Sequence, residues 1–205
     1  MAALRNQRSK VKRRKQKLKM NTEQKRALLK IASDTVRAVI SKKPLPKVEA
    51  DDPELNTHCG CFVTLKNGSR LRGCIGQFVS DKPLVKLVAE MATASATGDP
   101  RFQDDPITAS ELDELDVEIS VLSPLKRTND PLSLRLGIDG IYIKRGWAAG
   151  CFLPQVATET GWSKEEFLGY CCSHKAGLPY DAWRDPDTKV YVFTAEIIGP
   201  EPVIP

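Results

Sequence analysis

Apolar side chains recur every three to four positions in two long stretches of the chain, and this spacing predicts amphipathic helices. The first helix is expected over about residues 22–41, because Asn21 and Gln24 match a capping box at its start. The second is expected over about residues 82–97. A shorter third helix, over about residues 163–175, begins with another capping box.

Other stretches show the two-residue alternation that is typical of β-strands. Residues 59–66 and 69–77 are predicted to pair as a hairpin, because the Asn-Gly dipeptide at 67–68 favours a two-residue turn. Such a turn places Cys61 opposite Cys74. Further strands are predicted over residues 115–122, 141–144, 149–153 and 189–198.

The helices and the mostly hairpin-linked strands follow no regular βαβ alternation, so we predict an α+β fold. The chain has 205 residues, which is enough for one large domain or two small ones. Its 41% hydrophobic and 28% charged residues are typical of soluble globular proteins. No apolar run approaches the roughly 18 residues of a membrane helix, and the N-terminus lacks the apolar segment of a secretory signal. We therefore expect a cytoplasmic protein without a membrane partner.

Positive charge is concentrated at the start of the chain. The net charge is +5, but residues 1–20 hold nine lysines and arginines and no acid, whereas the rest holds 22 basic and 26 acidic residues. Such a block repels itself, so we predict a basic disordered tail over residues 1–20 and a folded domain over residues 21–200. Four interpretations of the tail stay open: a contact to nucleic acid, a localisation tag, a solvated extension, or translated upstream sequence with Met20 as a start.

The hexapeptide of residues 71–76, Leu-Arg-Gly-Cys-Ile-Gly, is the strongest candidate for a site. In an extended strand Arg72 and Cys74 lie on the same face, and a guanidinium beside a thiol favours the reactive thiolate. Gly73 and Gly76 allow another backbone or a ligand to approach closely. Cys74 is therefore either a reactive thiol in a site or a small apolar side chain packed in the hairpin.

The other cysteines and the two histidines give weaker candidates. His58 or His174 would be the base if Cys74 belongs to a nucleophile and base pair. Cys61 could form a redox pair with Cys74 in the register above. Cys59 and Cys61 are too close in sequence for a structural zinc site, so we expect no metal. Without an export signal, reduced thiols are expected for all six cysteines: Cys59, Cys61, Cys74, Cys151, Cys171 and Cys172.

Asp99 and Arg101 lie in the loop that follows the second predicted helix. Arg101 could hold a carboxylate or phosphate with two hydrogen bonds, or the pair could simply clamp the loop while Phe102 fills the core. Aromatic residues could also line a recognition surface, although Trp162 is expected in the core: Trp147, Trp162, Trp183 and Tyr180. The glycines match no phosphate loop or dinucleotide pattern, so we expect no cofactor.

Several short segments occur in the same order in one known family: residues 62–65, 71–76, 99–102, 118–122, 139–141, 153–157, 161–162 and 175–178. On these segments the chain resembles the AMMECR domain family over about residues 23–200. The resemblance implies two unequal subdomains, the larger with both chain ends, and places the hexapeptide near a cleft between them. Family members have no established reaction; roles in transcription, translation, repair or RNA modification have been suggested. Gene neighbourhoods in prokaryotes imply a functional link to Memo-type and radical SAM proteins.

The histidines and the cysteines before the hexapeptide lie outside the family pattern, so the resemblance favours a smaller set of site residues. Cys74 would be the nucleophile or covalent ligand, and Asp99 would orient Arg101 or act as a base. The anion-binding candidates are Arg72, Gly73, Gly76, Arg101 and Lys175. The first hypothesis is a cleft around Cys74 that binds or modifies an anionic small molecule or an RNA-related substrate. The second is a noncatalytic adaptor in which the hexapeptide docks a protein partner, so enzyme activity stays open at this point.

Overall fold

A computed structural model describes residues 19–203. The helices are α1 (Thr22–Ile40), α2 (Leu84–Thr97), α3 (Pro154–Thr160) and α4 (Lys164–Tyr170), which continues as a π-helical turn over Cys171–Lys175. The strands are β1 (Cys61–Asn67), β2 (Arg70–Gln77), β3 (Leu115–Leu122), β4 (Lys126–Thr128), β5 (Asp139–Arg145), β6 (Ala148–Phe152) and β7 (Lys189–Pro202). Short 3-10 helices cover Pro100–Phe102, Ala109–Glu114, Pro131–Ser133 and Ala182–Arg184.

The strands form one antiparallel sheet in the order β2-β1-β3-β7-β5-β6, with β4 paired to β7. The long strand β7 joins its two halves, because β3 pairs with the C-terminal part of β7 and β5 with the N-terminal part. The sheet curls into a half-barrel, and Phe78, which follows β2, lies 4.8 Å from Tyr142 of β5 between ring centroids. The predicted α+β class is confirmed.

Buried apolar side chains form two separate cores. The first lies between α1, α2 and the strands β1 to β3, and it includes both described ends of the chain through Met20 and Val203. The second lies under β5 and β7 and is filled mainly from α4 and the π-helical turn. The capping box predicted for α1 is present, since Asn21 and Gln24 exchange side-chain and backbone hydrogen bonds.

The predicted hairpin exists, but its predicted register is wrong. The turn is at Gly68-Ser69, one residue later than expected, and a β-bulge interrupts the pairing between Leu65 and Lys66. As a result Cys74 lies opposite Thr64, and Cys61 lies opposite Gln77. A bulge adds one residue to one strand, which shifts every later pair. The predicted pairing of Cys61 with Cys74 is therefore excluded by the register.

Most of the basic tail, residues 1–18, lies outside the described residues. Met20, at the end of the predicted tail, is buried, and its backbone N–H donates to the carboxylate of Glu196. None of the helices in residues 19–203 combines the length and the apolar character that crossing a bilayer requires.

Candidate functional site

Cys74 lies on β2, which forms one edge of the sheet. Its backbone N–H donates to Asp99 Oδ2 (2.9 Å), and its carbonyl accepts from Arg101 Nη2 (3.2 Å). Both groups therefore point away from β1, which makes Cys74 and Thr64 a non-hydrogen-bonded pair whose side chains lie close together. Accordingly, Thr64 Oγ1 donates to Cys74 Sγ at 3.3 Å. The thiol is partly exposed.

Asp99 and Arg101 form a clamp on the Cys74 peptide groups. Asp99 accepts from Arg101 Nε (2.9 Å), from Nη2 (2.6 Å) and from the Arg101 backbone N–H (3.2 Å). The Asp99 side chain is 2% exposed, whereas that of Arg101 is 47% exposed. Hydrogen bonds from Arg101, helped by the Cys74 N–H, lower the pKa of Asp99 to about 2 against the opposing effect of burial. We call this pair the Asp99–Arg101 clamp.

The cation next to Cys74 is Arg101. The pKa of Arg101 is raised mainly by its hydrogen bonds to Asp99, with a further contribution from the Cys74 side chain. The pair thus clamps the chain as one interpretation of the loop predicts, although Phe102 is only partly buried and belongs to neither core. The outer side of the guanidinium stays open to solvent, and anion binding by Arg101 stays a prediction.

Arg72 has a different position from the one that strand alternation predicts. Its side chain is 1% exposed, and its donors are taken by Glu111 (2.8 Å from Nε) and Asp105 (2.9 Å from Nη1). The hydrogen bonds to Glu111 raise the pKa of Arg72. Because the β-bulge makes Arg72 the extra residue of β2, alternation cannot be counted from Arg72 to Cys74. The expected guanidinium of Arg72 beside the thiol is corrected to that of Arg101.

The two glycines of the hexapeptide are required by close packing within the protein. A Cβ atom at Gly73 would lie 2.0 Å from the carbonyl oxygen of Ser95, and one at Gly76 would lie 2.3 Å from the Phe62 ring. Ser95 Oγ also bridges the hairpin to α2, accepting from the N–H of Ile75 at 2.9 Å. The close neighbours of these glycines are thus the backbone of α2 and an aromatic ring.

The opposite edge of the sheet, β6, carries a second thiol, Cys151, and packs against Lys175. Gly150 of β6 packs on the backbone of Lys175, since a Cβ atom there would lie 2.5 Å from its carbonyl carbon. Burial raises the pKa of Cys151 to about 11, with a lowering effect of Lys175 and a raising effect of Cys74. Lys175 and Cys74 are thus both near enough to Cys151 for their charges to act on its thiol. Lys175 is exposed.

The remaining thiols and both histidines are less suited to chemistry. Burial raises the pKa of the four other thiols: Cys59, Cys61, Cys171 and Cys172. His58 is exposed, and His174 stacks on Tyr170 with ring centroids 5.1 Å apart. Within residues 19–203 there is no cluster of three or more side chains that could hold a metal ion.

Sequence reasoning missed a polar group on the sheet beside Cys74. Thr64 lies between Cys74 and Glu118 in one row across β2, β1 and β3, so these side chains share a face. Gln155 at the start of α3 places its amide nitrogen 3.4 Å from Glu118 and from Ser120, and its buried Oε1 has no partner among residues 19–203. The polar positions of β3 were visible in the alternation of residues 115–122, but their neighbours were not.

The fold and the site define an α+β protein that has a half-barrel sheet and a clamped thiol at the sheet edge. The family model AMMECR1 matches residues 29–198, and the chain belongs to that family, as its resemblance implied. A protein of Methanothermobacter thermautotrophicus is 43% identical over 185 residues, which cover 87% of this chain and 95% of the relative. Protein TK0174 of Thermococcus kodakarensis is 43% identical over 185 residues, which cover 85% of this chain and 89% of the TK0174 chain.

A solved structure shows the same fold. The crystal structure of the uncharacterized protein PH0010 from Pyrococcus horikoshii superposes with a TM-score of 0.80 at 39% sequence identity. The match covers 87% of this chain and 92% of that one. The names of these three relatives state no activity.

Proposed function

We propose that this protein binds an anionic small molecule at Cys74, with Arg101 and Lys175 supplying the positive charge. The observation that supports this most directly is the Asp99–Arg101 clamp. It fixes a half-exposed guanidinium beside a partly exposed thiol. The hydrogen bonds of the clamp use Nε and Nη2 of Arg101, which leaves Nη1 for a carboxylate or phosphate oxygen.

The low pKa of Asp99 supports one of its two predicted roles. A general base works best when its pKa lies near the working pH, and a carboxylate with a pKa of about 2 is a weak base. Asp99 is also enclosed by its hydrogen bonds to Arg101 and to the Cys74 peptide. This supports the role of orienting Arg101 and leaves Cys74 as the side chain that meets the ligand.

The clamp also bears on the alternative of a docking edge. A peptide that adds a strand to a sheet needs the free N–H and C=O groups of the edge strand. At Cys74 both groups are already bonded to the clamp, which is one way in which proteins protect sheet edges. The geometry at the centre of the hexapeptide therefore favours a ligand site over strand addition.

Two alkylating reagents of similar size test the proposal. Iodoacetamide is neutral and iodoacetate is anionic, so the ratio of their rates at one thiol reports the local charge. At pH 7 we expect labelling at Cys74, mapped by mass spectrometry, because burial raises the pKa of the other five thiols. At low salt we also expect the ratio of the iodoacetate rate to the iodoacetamide rate to be at least about threefold higher at Cys74 than at the thiol of glutathione.

Two arginine variants separate the clamp from general surface charge. Arg101→Gln should remove the iodoacetate preference. Arg70→Gln should retain it, although Arg70 lies on the same strand as Cys74 and is 63% exposed. Equal labelling of all cysteines, or a preference that both variants retain in full, would overturn the proposal.

A further inference from the structure

The face of the sheet that carries Cys151 also combines positive charge with aromatic rings along β4, β5 and β7, because Tyr142 lies opposite Cys151. Arg127 of β4 lies opposite Tyr191 of β7, which lies opposite Tyr142 of β5. One step along the strands, Lys189 of β7 lies opposite Lys144 of β5. Residues directly opposite each other share a face, and so do residues two apart on one strand. We call these five residues the basic sheet face.

The cations of the basic sheet face are exposed and have no partners. Arg127, Lys144 and Lys189 form no ion pair or side-chain hydrogen bond within residues 19–203. The adjacent Arg145, in contrast, binds Asp185 at 3.0 Å. Like charges directly opposite in a sheet are destabilising, as Lys144 and Lys189 are here. An anion lying between these two side chains would relieve that repulsion.

The aromatic rings on this face are held in place but remain accessible. The rings of Tyr142 and Tyr191 lie 6.0 Å apart at 46°, and Phe78 supports Tyr142 from one side. Both tyrosines are partly exposed. Beyond Lys144, the turn between β5 and β6 carries Trp147, whose side chain is fully exposed.

Trp147 differs in this respect from the other two tryptophans. Trp162, predicted in the core, is partly buried at the edge of the second core and packs against Tyr170 with ring centroids 4.5 Å apart, and Trp183 is buried. An exposed tryptophan at a hairpin tip beside free lysines offers an apolar ring to whatever binds those lysines.

We propose that the basic sheet face and Trp147 bind a single-stranded nucleic acid. Free cations arranged in two ranks match the phosphates of a backbone, and partly exposed rings can stack on unpaired bases. Cations alone would bind any anion, but the adjacent rings favour a single-stranded nucleic acid, whose bases are unpaired and free to stack on them. Neighbouring strands lie about 4.8 Å apart, so Lys144 and Lys189 can contact one phosphate together. This inference requires neither Cys74 nor Arg101 nor residues 1–20.

Binding of a fluorescein-labelled 12-nucleotide single-stranded RNA to the full chain, followed by anisotropy, tests the charge contribution. Lys144→Glu with Lys189→Glu should weaken binding at least tenfold and reduce the slope of log K against log salt by about 1.4. The matched control is Lys47→Glu with Lys86→Glu, which changes the net charge equally at exposed lysines elsewhere. The control should stay within about twofold of the wild type.

All variants keep the basic tail, so its contribution to binding is the same in each. Equal weakening by the test pair and by the control pair would overturn the proposal, and so would the absence of measurable binding. Lys144→Gln with Lys189→Gln provides a milder pair if charge reversal disturbs folding, as judged by near-UV circular dichroism. That pair should weaken binding about threefold and should lower the salt slope by a similar amount to the reversal.

Stacking is tested separately through Trp147. Single-stranded RNA should quench its fluorescence, and Trp147→Ala should weaken binding about fivefold, which is within the range for loss of one stacked base. A duplex of the same sequence should bind more weakly than the single strand. If Trp147→Ala binds as the wild type does and the duplex binds equally well, the face recognises charge only and the proposal of single-strand recognition is wrong.

Discussion

Two arginines near Cys74 form ion pairs that differ in which partner is buried. In the first, the cation is buried: Arg72 is 1% exposed, while its partners Glu111 and Asp105 are 20% and 53% exposed. In the second, the anion is buried: Asp99 is 2% exposed, while Arg101 is 47% exposed. The partner that stays outside determines the charge that a ligand meets. The Arg72 cluster therefore presents carboxylates, and the Asp99–Arg101 clamp presents a guanidinium.

This difference also separates structural from functional contributions. A buried charge needs its partners because solvent cannot replace them, so the Arg72 cluster should dominate stability. An exposed charge held by a buried partner costs less to lose but is positioned for a ligand. Three substitutions test this comparison, beginning with the largest expected effect.

Replacing Arg72 by Met should have the largest effect on stability. The substitution removes three hydrogen bonds from Arg72 and leaves Glu111 without its cation, while Asp105 keeps Arg70. We expect the free energy of unfolding to fall by about 3 kcal/mol in urea titrations. The control is Arg70→Met, which removes an exposed arginine that also binds Asp105 and should cost at most about 1 kcal/mol. Similar losses for both variants would show that burial of Arg72 is not what stabilises the cluster.

Replacing Asp99 by Asn should have an intermediate effect that depends on pH. The folded pKa of about 2 lies below the ordinary 3.8, so ionised Asp99 stabilises the fold above about pH 4. That contribution, about 2 kcal/mol, is lost as pH falls through 2. Urea unfolding between pH 2 and 7 should show a wild-type advantage over Asp99→Asn that shrinks in acid. A difference that stays constant over this range would contradict the assigned pKa.

The fold was largely accessible from the sequence because its signals are local. The capping box of α1 and the alternation over residues 115–122 each involve neighbouring positions, and both elements are present. The hairpin register was not accessible, because the bulge between Leu65 and Lys66 is not encoded by the turn dipeptide. That single extra residue also changed the position of Arg72 relative to Cys74.

The candidate site was accessible only in part, for a related reason. Asp99 and Arg101 were singled out because they lie close together in one loop, and the structure joins them to Cys74. Thr64 reaches the thiol only through strand pairing, and Cys151 lies on the opposite edge strand of the curled sheet. Contacts between distant segments leave no periodic signal in a single sequence.

Replacing Arg101 by Gln should have the smallest effect on stability and the clearest effect on the site. Because Arg101 is half-exposed, we expect a loss of about 1 kcal/mol at pH 7. The pKa of Asp99 should rise, since hydrogen bonds from Arg101 are the main cause of its low value. The acid limb of the stability curve should then move from near pH 2 towards pH 4, whereas Arg101→Lys should move it less. An unchanged acid limb in Arg101→Gln would mean that the Cys74 and Arg101 backbone N–H groups alone hold the carboxylate, and that the guanidinium is free to serve a ligand without structural cost.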